Sequence, residues 1–152
     1  MQYWLLKSDP EVYSWEDLKR QPGGTDYWDG VRNYQARNFM RQMQVGDLAF
    51  FYHSQQKPPA IMGIVKIVRP AYPDPTQFDP SSTYFDPKST RENPRWVAVD
   101  IQYYQEFTEP VTLPELRQTP GLEQMILLRK GSRLSVMPIT EDEWRIILSL
   151  RA

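Results

Sequence analysis

Trp28, Asp29, Arg32, Asn33 and Tyr34 put an indole, a carboxylate, a guanidinium, an amide and a phenol within one short stretch. They stand just before an apolar stripe. Ala36, Phe39, Met40 and Met43 recur at the i, i+3, i+4, i+7 spacing of a helix with one buried face. Asn33 is a natural N-cap for that helix, and Gly30 lends backbone freedom to the turn before it. A helix start is electropositive and rich in unpaired N–H groups, so this crowd suits a polar or anionic ligand. The same residues also fit a plainer role, with Trp28 packed in the core and Asn33 serving only as a cap.

A wider set of residues has the same character. Trp4, Trp28, Phe51 and Tyr52 accompany Ser8, Asn33, His53 and Ser54. Flat aromatic walls with a few directional polar groups are what a pocket for one nucleobase requires. Arg129, Lys130 and Arg133, around Gly131 and Ser132, form the densest basic cluster and could hold the phosphates on either side. Strand alternation sends at least one of Phe51 and Tyr52 to the core. A lone histidine is more often structural than a ligand. Lys7 and Ser8, in KSDP, either face a ligand at a strand end or form a salt bridge and a turn.

Other chemistries lack their residues. With no cysteine and one histidine among 152 residues, thiol nucleophiles, thiolate zinc sites and paired-histidine metal sites are excluded. No phosphate-cradling glycine loop and no GxSxG elbow is present. Asp26 and Asp29 form a carboxylate pair, but spacing alone does not make them converge. The net charge of −1 rules out a global basic field, so a polyanion site must be a local patch. No apolar run approaches a membrane span and no signal peptide is evident. The expectation is a soluble, cytoplasmic protein, nucleoid-associated if bacterial, with no cofactor, no metal and no membrane partner.

The elements that must position these groups follow from pattern. Tyr3–Lys7 reads as a strand. Ser14 opens a short helix with Asp17 at the reciprocal capping position, ended by Pro22-Gly23-Gly24. A loop then leads to Trp28 and to the Asn33 helix, which is expected to run to about Gly46. Asp47–Ser54 and Ile61–Val68 read as strands, Pro70–Pro94 as a long aperiodic loop, and Trp96–Tyr104 as an alternating strand. A helical turn at Leu113–Arg117, a short strand at Leu134–Val136 and a closing helix capped by Thr140 and Glu143 complete one domain over residues 1–152. Strands with few long crossovers and helices at the rim indicate an α+β fold on a small curved or barrel-like sheet.

These segments together resemble the EVE domain family, part of the PUA-like group. The resemblance rests on WLLKSDP (Trp4–Pro10), WDGVRNYQARN (Trp28–Asn38), VGDLAFFYHS (Val45–Ser54), YFDPKS (Tyr84–Ser89), NPRW (Asn93–Trp96) and SRLSVMPIT (Ser132–Thr140), and spans nearly the whole chain. Asp9 stands where the family pattern more often has glutamate. The resemblance implies a PUA-like curved β-barrel with flanking helices. It also implies a non-catalytic reader of a modified base in nucleic acid, with modified cytosine in DNA the leading candidate and RNA the other carrier. The implied base pocket is Trp4, Lys7, Ser8, Trp28, Gly30, Val31, Asn33, Tyr52, His53, Ser54 and the Leu134, Ser135, Val136 strand. Phosphates would fall to Arg129, Lys130 and Arg133, or to Arg32 and Arg37. Two other readings compete: a hydrolase of a small amide or modified nucleoside, using Lys7 with a nearby carboxylate, and a module that recruits a partner through the Pro70–Pro94 loop.

Overall fold

The computed structural model describes residues 1–151. Six strands, β1 (Tyr3–Ser8), β2 (Thr25–Trp28), β3 (Leu48–His53), β4 (Ala60–Pro73), β5 (Val97–Thr112) and β6 (Val136–Ile139), form one mixed sheet in the order β2-β5-β4-β3-β1-β6. Only the β1–β3 pair is parallel. Four helices flank it: α1 (Trp15–Lys19), α2 (Tyr34–Met40), α3 (Leu113–Gln118) and α4 (Glu141–Ser149). The sheet is curved but open, with β2 and β6 as its edges. Its curvature comes from β4 and β5, whose ladder shifts register at four places; each bulge bends the strand and tightens its twist. Helix α2 packs against both β5 and β6 and so spans the gap between the two ends of the sheet.

Alternation along β1 and β3 divides the core in two. Trp4 and Leu6 of β1, with Phe51 of β3, face a cluster that also holds Trp15, Trp28 and the α2 residues Ala36 and Met40. Leu5, Phe50 and Tyr52 face the opposite cluster, with Trp144 and Ile147 of α4. Trp144 stacks on Phe50 at 4.0 Å. Both capping boxes expected from the sequence are formed, Ser14 with Asp17 and Thr140 with Glu143. Among the described residues no helix is long and apolar enough to cross a membrane.

Five expectations need correction. β5 does not stop at Tyr104 but continues to Thr112 along the long β4 strand. Thr25–Trp28 is a strand, not a loop: it pairs with β5 at the sheet edge, and four residues are too few to show a period. β4 does not stop at Val68 but runs on through Pro70 to Pro73. Past Lys66 it has lost β3 as a neighbour, so prolines there leave no ladder hydrogen bond unmade on that side. Helix α2 ends at Met40, with turns carrying the chain on to Gly46. Leu134 and Ser135 precede the last strand, which begins at Val136.

Candidate functional site

The turn after β2 owes its shape to one buried carboxylate. Asp74, fully buried, accepts from the Gly30 N–H at 2.8 Å, from Thr76 through its N–H at 2.8 Å and its hydroxyl at 2.6 Å, and from Arg32 Nη1 at 3.1 Å. Arg32 also donates to the Tyr84 carbonyl at 2.7 and 3.1 Å and to Thr76 Oγ1 at 3.1 Å. Such a paired, hydrogen-bonded ion pair binds the loop firmly to the turn. Next to it, Gln77 is fully buried and bonds the carbonyls of Asp74 and Trp96 and the amide of Trp96. The proline-rich stretch is thereby fastened down, and it delivers Tyr84 against Gly30. Gly30 has φ +75°, and a Cβ there would lie 2.6 Å from the Tyr84 ring. Only glycine permits both the turn and this close approach.

Tyr84, Gly30 and Val31 then form one wall of a cavity of about 470 Å³ at the open end of the sheet. Tyr27 and Trp28 come from β2, Lys7 and Ser8 from the end of β1, Tyr13 from the loop after it, and Ser135 from just before β6. Trp28 has two roles: its ring meets Phe51 edge-on at 5.6 Å in the core, while it remains part of the cavity wall. Three carboxylates, Asp9, Asp26 and Asp29, line the cavity with the single cation Lys7. Asp26 is engaged by the Tyr13 hydroxyl at 2.6 Å and the Tyr27 N–H at 2.8 Å. Asp9 accepts from the Glu11 N–H at 2.9 Å in a turn. Asp29 accepts from no other side chain among the described residues. Burial, and then the negative charges of Asp74 and Asp26, hold its carboxyl above the ordinary aspartate range. Burial also lowers the Lys7 ammonium below the ordinary lysine range.

A second cavity, of about 370 Å³, adjoins the first across Lys7 and Ser135. Tyr52, Ser54, Leu127, Arg133 and Leu134 are among its walls, and no carboxylate lines it.

The candidate residues therefore fall into separate groups. Lys7, Ser8, Trp28, Gly30, Val31 and Ser135 converge on the first cavity. Tyr52, Ser54 and Leu134 line the second, because Tyr52 lies on the other face of β3 from Phe51 and His53. Trp4, Asn33, His53 and Val136 line neither. Trp4 is buried and donates from Nε1 to Asp47 at 3.0 Å. Asn33 caps α2 through the Ala36 N–H. His53 accepts the Trp15 N–H at Nε2 and meets Gln56 at Nδ1, which fixes the Nδ1-protonated tautomer, and burial lowers its pKa. Val136 is core.

Among the basic residues, Arg32 has its donors consumed by Asp74, Thr76 and Tyr84, which leaves it no free edge for a phosphate. Arg37 bonds the Arg95 carbonyl and Asn38 and lies over the Tyr34 ring. Arg129 and Lys130 are exposed away from both cavities, so of that cluster only Arg133 faces one. The sequence reading missed Tyr13, Tyr27 and Tyr84 as cavity walls and left Asp26 and Asp29 unassigned. The signal was available in WDG and YFDPKS, but joining them required the Arg32–Asp74 bridge.

Comparison with known proteins places the chain in a family and agrees with its fold. Human thymocyte nuclear protein 1 is 46% identical over 165 residues, covering 97% of this chain and 73% of the human protein. A crystal structure of a Pseudomonas syringae protein superposes with a TM-score of 0.93 at 53% identity over 99% of both chains. Human THYN1, solved in complex with DNA containing 5-methylcytosine, superposes with a TM-score of 0.94 at 44% identity, over 99% of this chain and 98% of that one. The curved sheet with flanking helices is thus PUA-like. The family model for the EVE domain matches residues 2–150, and this chain is a member of that family.

Proposed function

We propose that the protein is a non-catalytic reader of modified cytosine in DNA, taking the flipped-out base into the first cavity. The observation that carries the reading is the pairing of aromatic walls with an excess of carboxylate in one cavity, with Asp29 left free to accept. Trp28, Tyr27 and Tyr84 supply flat surfaces on which a base can stack, worth about 1–3 kcal/mol per base. That return offsets an unstacking cost of roughly a few kcal/mol on flipping. A methyl group adds contact without needing a hydrogen bond, contributing about 0.8 kcal/mol, near fourfold in affinity. The carboxylate selects the base. Cytosine presents an exocyclic amine that Asp29 can accept from, whereas thymine presents O4, an acceptor that Asp29 would repel. The human relative solved with DNA containing 5-methylcytosine supports the same ligand class.

A binding screen with oligonucleotides carrying cytosine, 5-methylcytosine and thymine at one position tests it. The expected order is 5-methylcytosine, then cytosine, then thymine. Equal affinity for all three would overturn the reading.

The hydrolase reading keeps one supporting observation: Lys7, its ammonium destabilised by burial, shares the cavity with Asp29. Incubation with modified deoxynucleosides should return them intact by mass spectrometry. Conversion that disappears in Lys7→Ala would replace the reader with an enzyme.

A further inference from the structure

The second cavity differs from the first in what it offers a ligand. Tyr52 is 3% exposed, yet its hydroxyl has no hydrogen-bond partner among the described residues. The ring is buried while the hydroxyl opens onto the cavity, where it is free to donate to a ligand oxygen. Arg133 and Lys7 line the same cavity, and neither forms an ion pair among the described residues. Arg117 lies close enough for its charge to act on the Tyr52 phenol. With no carboxylate on its walls, the cavity is a basic recess beside an acidic one.

We propose that this recess is a phosphate subsite, in which the Tyr52 hydroxyl donates to a phosphate oxygen while Arg133 and Lys7 supply the countercharge. Its occupant is the phosphodiester flanking the base in the first cavity, an assignment that rests on the reader function. Lys7 and Ser135 form the ridge between the two cavities, so a nucleotide whose base lies on one side has its backbone passing over Lys7 to the other. The first cavity repels phosphate, because three aspartates line it against one lysine.

The test is a titration of the full chain, followed by calorimetry and by amide and side-chain NMR. The probes are 5-methyl-2′-deoxycytidine, its 5′- and 3′-monophosphates, and inorganic phosphate. One of the two monophosphates should bind at least about tenfold tighter than the nucleoside, as expected for a charge-assisted hydrogen bond with a countercharge. The gain should vanish in Tyr52→Phe, which keeps the packed ring, and shrink in Arg133→Ala, with nucleoside affinity unchanged in both. Thermal melting verifies that both variants fold. Monophosphates that bind no tighter than the nucleoside, or a gain that survives both substitutions, would overturn the subsite. If the nucleoside itself does not bind, the base-pocket reading fails on its own. Shifts of the Tyr52 and Arg133 signals on adding inorganic phosphate, with the Arg133 shift lost in Tyr52→Phe, would then still support the subsite, and no shifts would sink it.

Discussion

The two cavities share Lys7 and Ser135, yet they carry opposite charge, and Trp28 on the wall of one belongs to a different core cluster from Tyr52 on the wall of the other. The first gathers Asp9, Asp26 and Asp29 among tyrosines and a tryptophan. The second places Arg133 and the Tyr52 hydroxyl among leucines. A nucleotide has the same division: a flat base with an amine that donates, and a phosphate that only accepts. In a chain of net charge −1, the protein can offer both environments only by sorting its charges locally. The fold does the sorting: the aspartates come from β2 and the loops after β1 and β2, and Arg133 from the segment before β6.

The contrast can be broken most forcefully at Trp28. Because its ring is both core and cavity wall, Trp28→Ala should lose about 3–5 kcal/mol of stability by chemical denaturation. Its preference for 5-methylcytosine should disappear while phosphate-driven binding remains. A variant that melts lower but keeps the methyl preference would make Trp28 core alone. Asp29→Asn should reduce discrimination of cytosine from thymine by about ten- to a hundredfold, the usual 1–3 kcal/mol of a base-edge contact. Competition binding measures it, and unchanged discrimination would shift the reading group to Asp26 or Asp9.

Gly30→Ala sharpens a different point, that the acidic cavity depends on the loop. A Cβ at φ +75° meets the Tyr84 ring, so the variant should cost on the order of 1–3 kcal/mol and loosen that wall. Increased hydrogen exchange across residues 74–86 in the folded variant would show it; unchanged exchange would mean that Tyr84 adapts. In the basic cavity, Arg133→Ala should reduce the slope of log affinity against log salt by about one phosphate contact, and Asp29→Asn should leave it unaltered. Arg129→Ala and Lys130→Ala serve as controls.

The smallest effect is on stability against pH. Asp29 has its folded-state pKa raised by burial and by Asp74 and Asp26. Only between the unfolded and folded pKa values does the folded protein hold a proton that the unfolded chain has released. Stability is lost as pH rises from the unfolded value, near 4, through the folded one. At neutral pH Asp29→Asn should thus melt higher than the parent, with the difference closing below about pH 4. A lower melting temperature at neutral pH would show that the carboxylate is held by a favourable contact.

Much of this molecule was legible from local pattern. The capping boxes at Ser14 and Thr140, the Asn33 cap, and the strands around Leu5, Phe50 and Val99 depend on residues a few positions apart, whose preferences the sequence displays directly. The EVE motifs were likewise recognisable, together with the α+β class that they imply. What the sequence could not display were consequences of distant pairing. Thr25–Trp28 is a strand because β5 lies beside it, and Pro70 is tolerated because β3 no longer does. Asp74 is 42 residues from Arg32, and their bridge turns a proline-rich loop into a wall of the cavity. That same bridge withdraws Arg32 from any phosphate role. The tertiary structure alone decided which face of β1 and β3 each side chain met, and so whether Tyr52 and Trp28, both read as parts of one pocket, would share a cavity or border two. Side-chain chemistry is written residue by residue, but convergence is a property of the packed sheet.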